Sequence, residues 1–235
     1  MSLRYILFDL DGSLLPMDQD VFIEAYFGRL TAYVAPHGYD PKKFAKSIWQ
    51  GTGAMIVNDG SQSNEAVFWN TMKNIYGDAI LQSQPILEEF YQKEFPLIQK
   101  VCGFDPLAGP TIRKLKEMGY TVVLATNPIF PAVATENRIK WAGLDKQDFA
   151  LYTTYENSSY CKPNPDYYRE VLQKIDADPK ECLMVGNDAT EDLAATQLGM
   201  DVFLLTACLI NKQQTDISGY PQGDLNALLQ YIQSR

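Results

Sequence analysis

The chain has 235 residues, 46% of them hydrophobic, and a formal net charge of −9. That length buries a real core in one large domain or two small ones, and the acidity argues against nucleic acid or an anionic membrane surface as a general partner. No apolar run approaches the roughly 18 residues a membrane span needs, and the first strand pattern starts too early to leave room for a signal peptide, so a cytoplasmic setting is expected.

Tyr5-Ile6-Leu7-Phe8 reads as a buried parallel strand. It ends in Asp9-Leu10-Asp11-Gly12. Two residues apart on an extended chain, Asp9 and Asp11 project to the same side. Carboxylates held that close repel, and they invite a divalent cation or a shared proton. Gly12 lets the chain turn directly afterwards.

From about Pro16 to Lys100 the pattern is helical. Val21, Phe22, Ala25, Tyr26 and Leu30 recur at helical spacing. Phe44, Ile48 and Trp49 follow behind Pro41, a first-turn proline. Ala66, Val67, Trp69 and Met72 follow Ser63, a candidate cap, and Leu87, Phe90 and Tyr91 follow Pro85. Gly51-Thr52-Gly53 and Gly77 are read as punctuation between helices.

Strand and helix then alternate. A helix is expected near Pro106 to Met118, and a second strand, Thr121 to Ala125, leads into Thr126-Asn127-Pro128. A helix from Pro131 to Trp141 precedes a third strand, Phe149 to Thr153. Cys161-Lys162-Pro163-Asn164-Pro165 leads into another helix. A fourth strand, Cys182 to Gly186, ends in Asn187-Asp188, with a helix from Glu191 to Leu198 beyond it. Asp201 to Leu205 is a fifth strand, and a last helix starts at Gly223-Asp224. This alternation predicts an α/β fold, a Rossmann-like parallel sheet with helices on both faces. The helical stretch is an insert, giving a core of residues 1–15 and 101–235 and an all-helical domain of residues 16–100.

Cys102, Cys161, Cys182 and Cys208 are scattered and do not resemble a disulfide framework, which fits a reducing compartment. His37 is the only histidine, so Ser-His-Asp and Cys-His triads are excluded and a zinc site is disfavoured.

Asp-x-Asp, Thr-Asn, Lys-Pro and Gly-Asn-Asp-x-x-x-Asp, each at a strand end and in this order, resemble the haloacid dehalogenase superfamily of hydrolases. The helical insert after the first motif is similar to the cap of its phosphoglycolate-phosphatase and β-phosphoglucomutase branches. The resemblance implies that Asp9 is a nucleophile forming an aspartyl-phosphate and that Asp11 is the acid for the leaving oxygen and then the base for water. It implies Mg²⁺ held by the Asp9 carboxylate, the Asp11 backbone carbonyl and the Asn187-Asp188 turn. Lys162 would offset the charge on nucleophile and phosphate, held by Asp192, while Thr126 and Asn127 would bind phosphoryl oxygens.

Two positions depart from the family pattern. Ser13 stands where threonine is common, and Asn187 stands where many members place aspartate, which leaves Asn187 and Asp188 both open as the direct metal ligand. The expected activity is a Mg²⁺-dependent phosphatase acting on a small soluble phosphomonoester. The alternatives are a phosphomutase, or a binding or regulatory protein on the same fold. The polar stretch from Met55 to Glu65 is either a loop facing the substrate or an ordinary helix–helix connection. No residue pattern fixes an oligomeric state.

Overall fold

The computed structural model describes residues 2–235. Five parallel strands form one sheet: β1 (Tyr5–Phe8), β2 (Thr121–Leu124), β3 (Cys182–Gly186), β4 (Asp201–Leu205) and β5 (Gln222–Gly223), in the order β2-β1-β3-β4-β5. Tyr5 lies opposite Thr121 on one side and Cys182 on the other, which places β1 between β2 and β3. Side chains alternate across each strand. Ile6, Phe8, Val122, Leu124, Leu183, Val185 and Phe203 enter one apolar cluster, and Leu7, Val123, Met184, Val202 and Leu204 enter the other. Both faces are therefore buried, which is why these strands read as continuous apolar runs.

The helices between β1 and β2 are α1 (Gln19–Val34), α2 (Pro41–Ile56), α3 (Asn64–Tyr76), α4 (Gln84–Lys93) and α5 (Ala108–Glu117). After β2 come α6 (Ala132–Trp141), α7 (Pro165–Lys174) and α8 (Leu225–Gln233). Ile112, Leu115, Ile139, Leu228 and Ile232 from α5, α6 and α8 cover the first sheet face. Tyr167, Tyr168, Val171 and Leu172 of α7 cover the second. The expected parallel sheet with helices on both faces is thus present.

Local chemistry sets the helix starts. Asp18, Asp40 and Ser63 cap α1, α2 and α3 by accepting backbone N–H groups, and prolines stand in the first turns of α2 and α4. Gly51 and Gly53 correct the sequence reading: both lie inside α2. A Cβ on Gly51 would sit 2.5 Å from the Phe68 ring, so the glycine admits close packing of α3 instead of ending a helix.

Two further corrections concern the core. Residues 149–153 form no ladder strand. They run beside β2 through Ala150 N–H to Val122 C=O (2.8 Å), Leu124 N–H to Leu151 C=O (2.8 Å) and a single bridge at Tyr152. Beyond β3, the expected helix from Glu191 is only a short 3₁₀ turn, Leu193–Leu198. The two-residue β5 had no sequence signal.

The helical stretch leaves and rejoins the core at one place. Gly103 N–H donates to Pro16 C=O at 2.7 Å, and Met17 bridges Cys102. Aromatic edge contacts fasten it further: Phe22 and Tyr26 meet Phe130 at 6.3 and 5.5 Å, and Phe95 stacks on Trp141 at 5.2 Å. Each such pair contributes about 0.5–1.5 kcal/mol beyond its buried area.

A polar latch completes the attachment. Asn64, fully buried at the start of α3, donates to Pro128 C=O (3.3 Å) and Tyr160 C=O (3.2 Å) and accepts from Asn58 Nδ2 (2.9 Å). The backbone N–H groups of Asn64 and Glu65 donate to Ser158 and Tyr155, both at 2.8 Å. Within the stretch from Met55 to Glu65, Asn58 and Asn64 therefore serve attachment, while Glu65 faces the cavity described below. Replacing Asn64 by Ala should cost about 1–3 kcal/mol, because buried carbonyls lose their donor. Urea denaturation checks this, and an unchanged midpoint would remove the latch.

Candidate active site

All the functional residues expected from the sequence, apart from the supporting Asp192 and the buried Lys162, line one cavity at the carboxyl ends of β1, β2 and β3, with a volume of about 600 Å³. Ligand sites of parallel sheets lie at such strand ends. Asp9 follows β1, and its N–H donates to Val185 C=O at 2.8 Å, so its backbone is held by the sheet itself. Gly12 takes φ +82°, and a Cβ there would meet Asn187 Nδ2 at 2.3 Å. Only glycine allows the chain to turn that close beneath Asn187.

Beneath the cavity lies a buried line of charge. Lys162 Nζ donates to Asp9 Oδ1 at 3.1 Å and to Asp192 Oδ1 at 2.7 Å, and its side chain is completely buried. Asp192 Oδ2 accepts Asp188 N–H at 2.9 Å. Gly186 makes this possible, since a Cβ there would fall 2.0 Å from Asp192 Oδ2. Burial opposes the Lys162 charge, but Asp192 and Asp9 override it and hold the ammonium protonated far above neutrality. Asp9 responds differently. Burial pushes its carboxyl up to about 7, against the pull of Lys162, and the like charges of Asp192 and Asp11 add to the rise.

The fourth strand-end motif packs over this line. Ser13 Oγ lies 2.9 Å from Asn187 Oδ1 and 3.3 Å from Asp9 Oδ2, so its single proton serves one acceptor at a time. Asn187 Nδ2 donates to Cys208 C=O at 2.7 Å, which fixes the amide with its oxygen toward Asp9. Asp188 Oδ1 accepts the N–H groups of Thr190 (2.7 Å) and Glu191 (3.0 Å), leaving Oδ2 outside that turn. Thr126 is held by its carbonyl, which accepts from Thr153 Oγ1 (2.6 Å) and Tyr167 Oη (2.9 Å). Asn127 Oδ1 accepts Lys162 N–H at 3.3 Å.

Two participants carried no sequence signal. Arg138 of α6, buried to 1% exposure, donates through Nη1 to Asp11 Oδ2 and through Nη2 to Thr135 Oγ1 at 3.2 Å, with its guanidinium 4.5 Å from the centre of the Phe130 ring. Asp11 Oδ1 is buried and has no partner among the described residues. Burial raises the Asp11 carboxyl above its ordinary range, with Arg138 opposing. Glu191 accepts from Asn127 Nδ2 at 2.9 Å, and burial pushes its carboxyl up to about 8.

The profile of the haloacid dehalogenase-like hydrolases matches residues 3–199. The chain belongs to that family. It is 26% identical over 206 residues to the phosphoglycolate phosphatase of Vibrio vulnificus, covering 87% of this chain and 84% of that one. It is 25% identical over 189 residues to the pyrophosphatase PpaX of Bacillus cereus, covering 80% and 76%. Among solved structures it resembles the 2-haloacid dehalogenase of Pseudomonas syringae pv. tomato (TM-score 0.62, 21% identity, 99% of both chains). It also resembles a phosphatase from Thermococcus onnurineus (TM-score 0.59, 18% identity, 98% of both). These structural likenesses show the haloacid dehalogenase fold alone, since they join phosphatases and dehalogenases.

As a haloacid dehalogenase-like hydrolase the chain is an enzyme, and its donor atoms suit a hard cation. Asp9 Oδ2, Asn187 Oδ1, Asp188 and the Asp11 backbone carbonyl all offer oxygen, and the neighbouring cations Lys162 and Arg138 are already engaged. Among the described residues no three carboxylate, thiol or imidazole groups form a metal cage by themselves. Mg²⁺ does not ask for one: it takes one or two carboxylates and keeps several waters. All four cysteines are free, and among the described residues no helix is long and apolar enough to cross a membrane.

Proposed function

We propose that this hydrolase is a cytoplasmic, Mg²⁺-dependent phosphatase of a small soluble phosphomonoester, working through an aspartyl-phosphate on Asp9. The observation that carries the reading is the split state of Asp11, which lines the same cavity as Asp9: one carboxyl oxygen is bound by buried Arg138 and the other is buried with no partner among the described residues. A phosphatase needs an acid for its leaving alkoxide, and Oδ1 is free to hold that proton while Arg138 fixes the carboxyl plane. Displacement of halide asks for no such acid.

An Asp9 oxygen attacks phosphorus, the ester P–O bond breaks, and the alkoxide takes the proton from Asp11. Asp11 then takes a proton from water, whose oxygen attacks phosphorus and releases phosphate with Asp9 restored. Lys162 keeps Asp9 ionised at the moment of attack, and the Thr126 hydroxyl with the Asn127 backbone N–H receives phosphoryl oxygens. Mg²⁺ would supply charge neutralisation between the two anions, held by Asp9, the Asp11 carbonyl, Asn187 and Asp188. Residues 16–100 act as the cap, which excludes water and selects the leaving group.

The test is phosphate release from a panel of small esters, with Mg²⁺ and with chelator. Metal-dependent release is expected. Phosphoryl transfer to a second sugar hydroxyl without free phosphate would identify a mutase instead. Asn187→Ala and Asp188→Ala should each raise the Mg²⁺ concentration needed for half-maximal rate, by unequal factors of roughly 10–100. If neither moves it, this placement of the metal is wrong.

A further inference from the structure

The charges lining the cavity have one sign. Beyond Asp9, Asp11 and Asp188 its acidic side chains are Glu65, Glu88, Glu156 and Glu191, and among the described residues no Lys, Arg or His lines it. Glu65 is half-buried, and its carboxyl is raised by burial and by the negative charge of Glu156. About half of the remaining lining residues away from the sheet are aromatic, and most of the others are aliphatic. Trp49, 51% exposed, stacks on Phe27 at 5.2 Å and 23°, and Phe68 and Trp69 meet edge to face at 5.4 Å.

An anion on the leaving group would be buried against carboxylates with no partner. A ring finds flat faces, and a protonated amine finds both carboxylates and π-faces. The substrates named for two relatives, phosphoglycolate and pyrophosphate, both carry a second anion. Resting on the phosphatase reading above, we infer that this cavity takes phosphomonoesters of apolar, ring-bearing alcohols that carry a protonated amine and no second anion.

Tyramine O-phosphate and 4-hydroxyphenylacetate O-phosphate share their ring and leaving oxygen and differ chiefly in the sign of the distal charge. Phenyl phosphate lacks that charge. With Mg²⁺ at fixed ionic strength, kcat/KM for the amine ester should exceed that for the carboxylate ester at least roughly 30-fold, with phenyl phosphate between. Phosphoglycolate and pyrophosphate should fall with the carboxylate ester or below it. Glu65→Gln should shrink the amine-to-carboxylate ratio several-fold. Equal rates for the two charged esters, or preference for phosphoglycolate or pyrophosphate, would overturn the inference and leave the phosphatase standing. Release from none of the esters, phenyl phosphate included, would overturn both.

Discussion

Asp9→Asn should abolish turnover and stabilise the metal-free protein. Loss of a covalent nucleophile costs on the order of 10³-fold or more in kcat. The stability gain comes from the buried charge line. Lys162 already has Asp192 at 2.7 Å, so the Asp9 carboxylate is a second, surplus anion in a buried place. Its pKa rises from 3.8 to about 7, so the folded state binds the extra proton and stability falls as pH climbs through that window. Asparagine removes this loss. The variant should match the parent at pH below about 4 and exceed it above pH 7 by on the order of 2–4 kcal/mol. Denaturation with chelator across pH reads the difference. A destabilised variant at pH 8 would show that Asp9 supports the fold through Lys162, and retained phosphate release would remove it as nucleophile.

Lys162→Met should do the opposite to the fold. It leaves Asp9 and Asp192 buried with no cation, and an uncompensated buried charge costs about 3–5 kcal/mol. Activity should vanish with it. The double variant Lys162→Met/Asp9→Asn should regain part of the stability and none of the activity, because one stranded carboxylate is gone but the nucleophile is too. Coupling requires that Asp9→Asn stabilise the Lys162→Met protein by a different amount than it stabilises the parent; an equal gain in both backgrounds would deny the coupling that the 3.1 Å contact implies.

The chain announces its chemistry where one short segment holds both signal and consequence. Asp9, Thr126, Lys162 and Asn187 each end an apolar run or precede a helix start, so strand-end geometry is legible without a partner in view. Arg138 is not legible. It sits in the last turn of α6, where a basic residue ordinarily faces water and complements the helix dipole, and its partner Asp11 is far away in sequence. Residues 149–153 have the composition of a strand, but whether an extended segment joins a ladder depends on the register its neighbour offers. Gly51 and Gly53 together resemble a helix stop until the Phe68 ring comes against Gly51. The acidic, aromatic cavity wall is likewise assembled from several helices and loops, so no single stretch of sequence displays it.

The central place of β1 has a consequence for how the protein is made. Its four residues leave the ribosome well before their partners, Thr121 to Leu124 and Cys182 to Val185. At roughly 5–20 residues per second, β1 waits many seconds for both neighbours. Helices α1 to α4 emerge in that interval and form through local contacts. The sheet closes only after β3 appears, so the nascent chain carries an apolar, unpaired strand through most of its synthesis, the stage at which a chaperone would have something to hold.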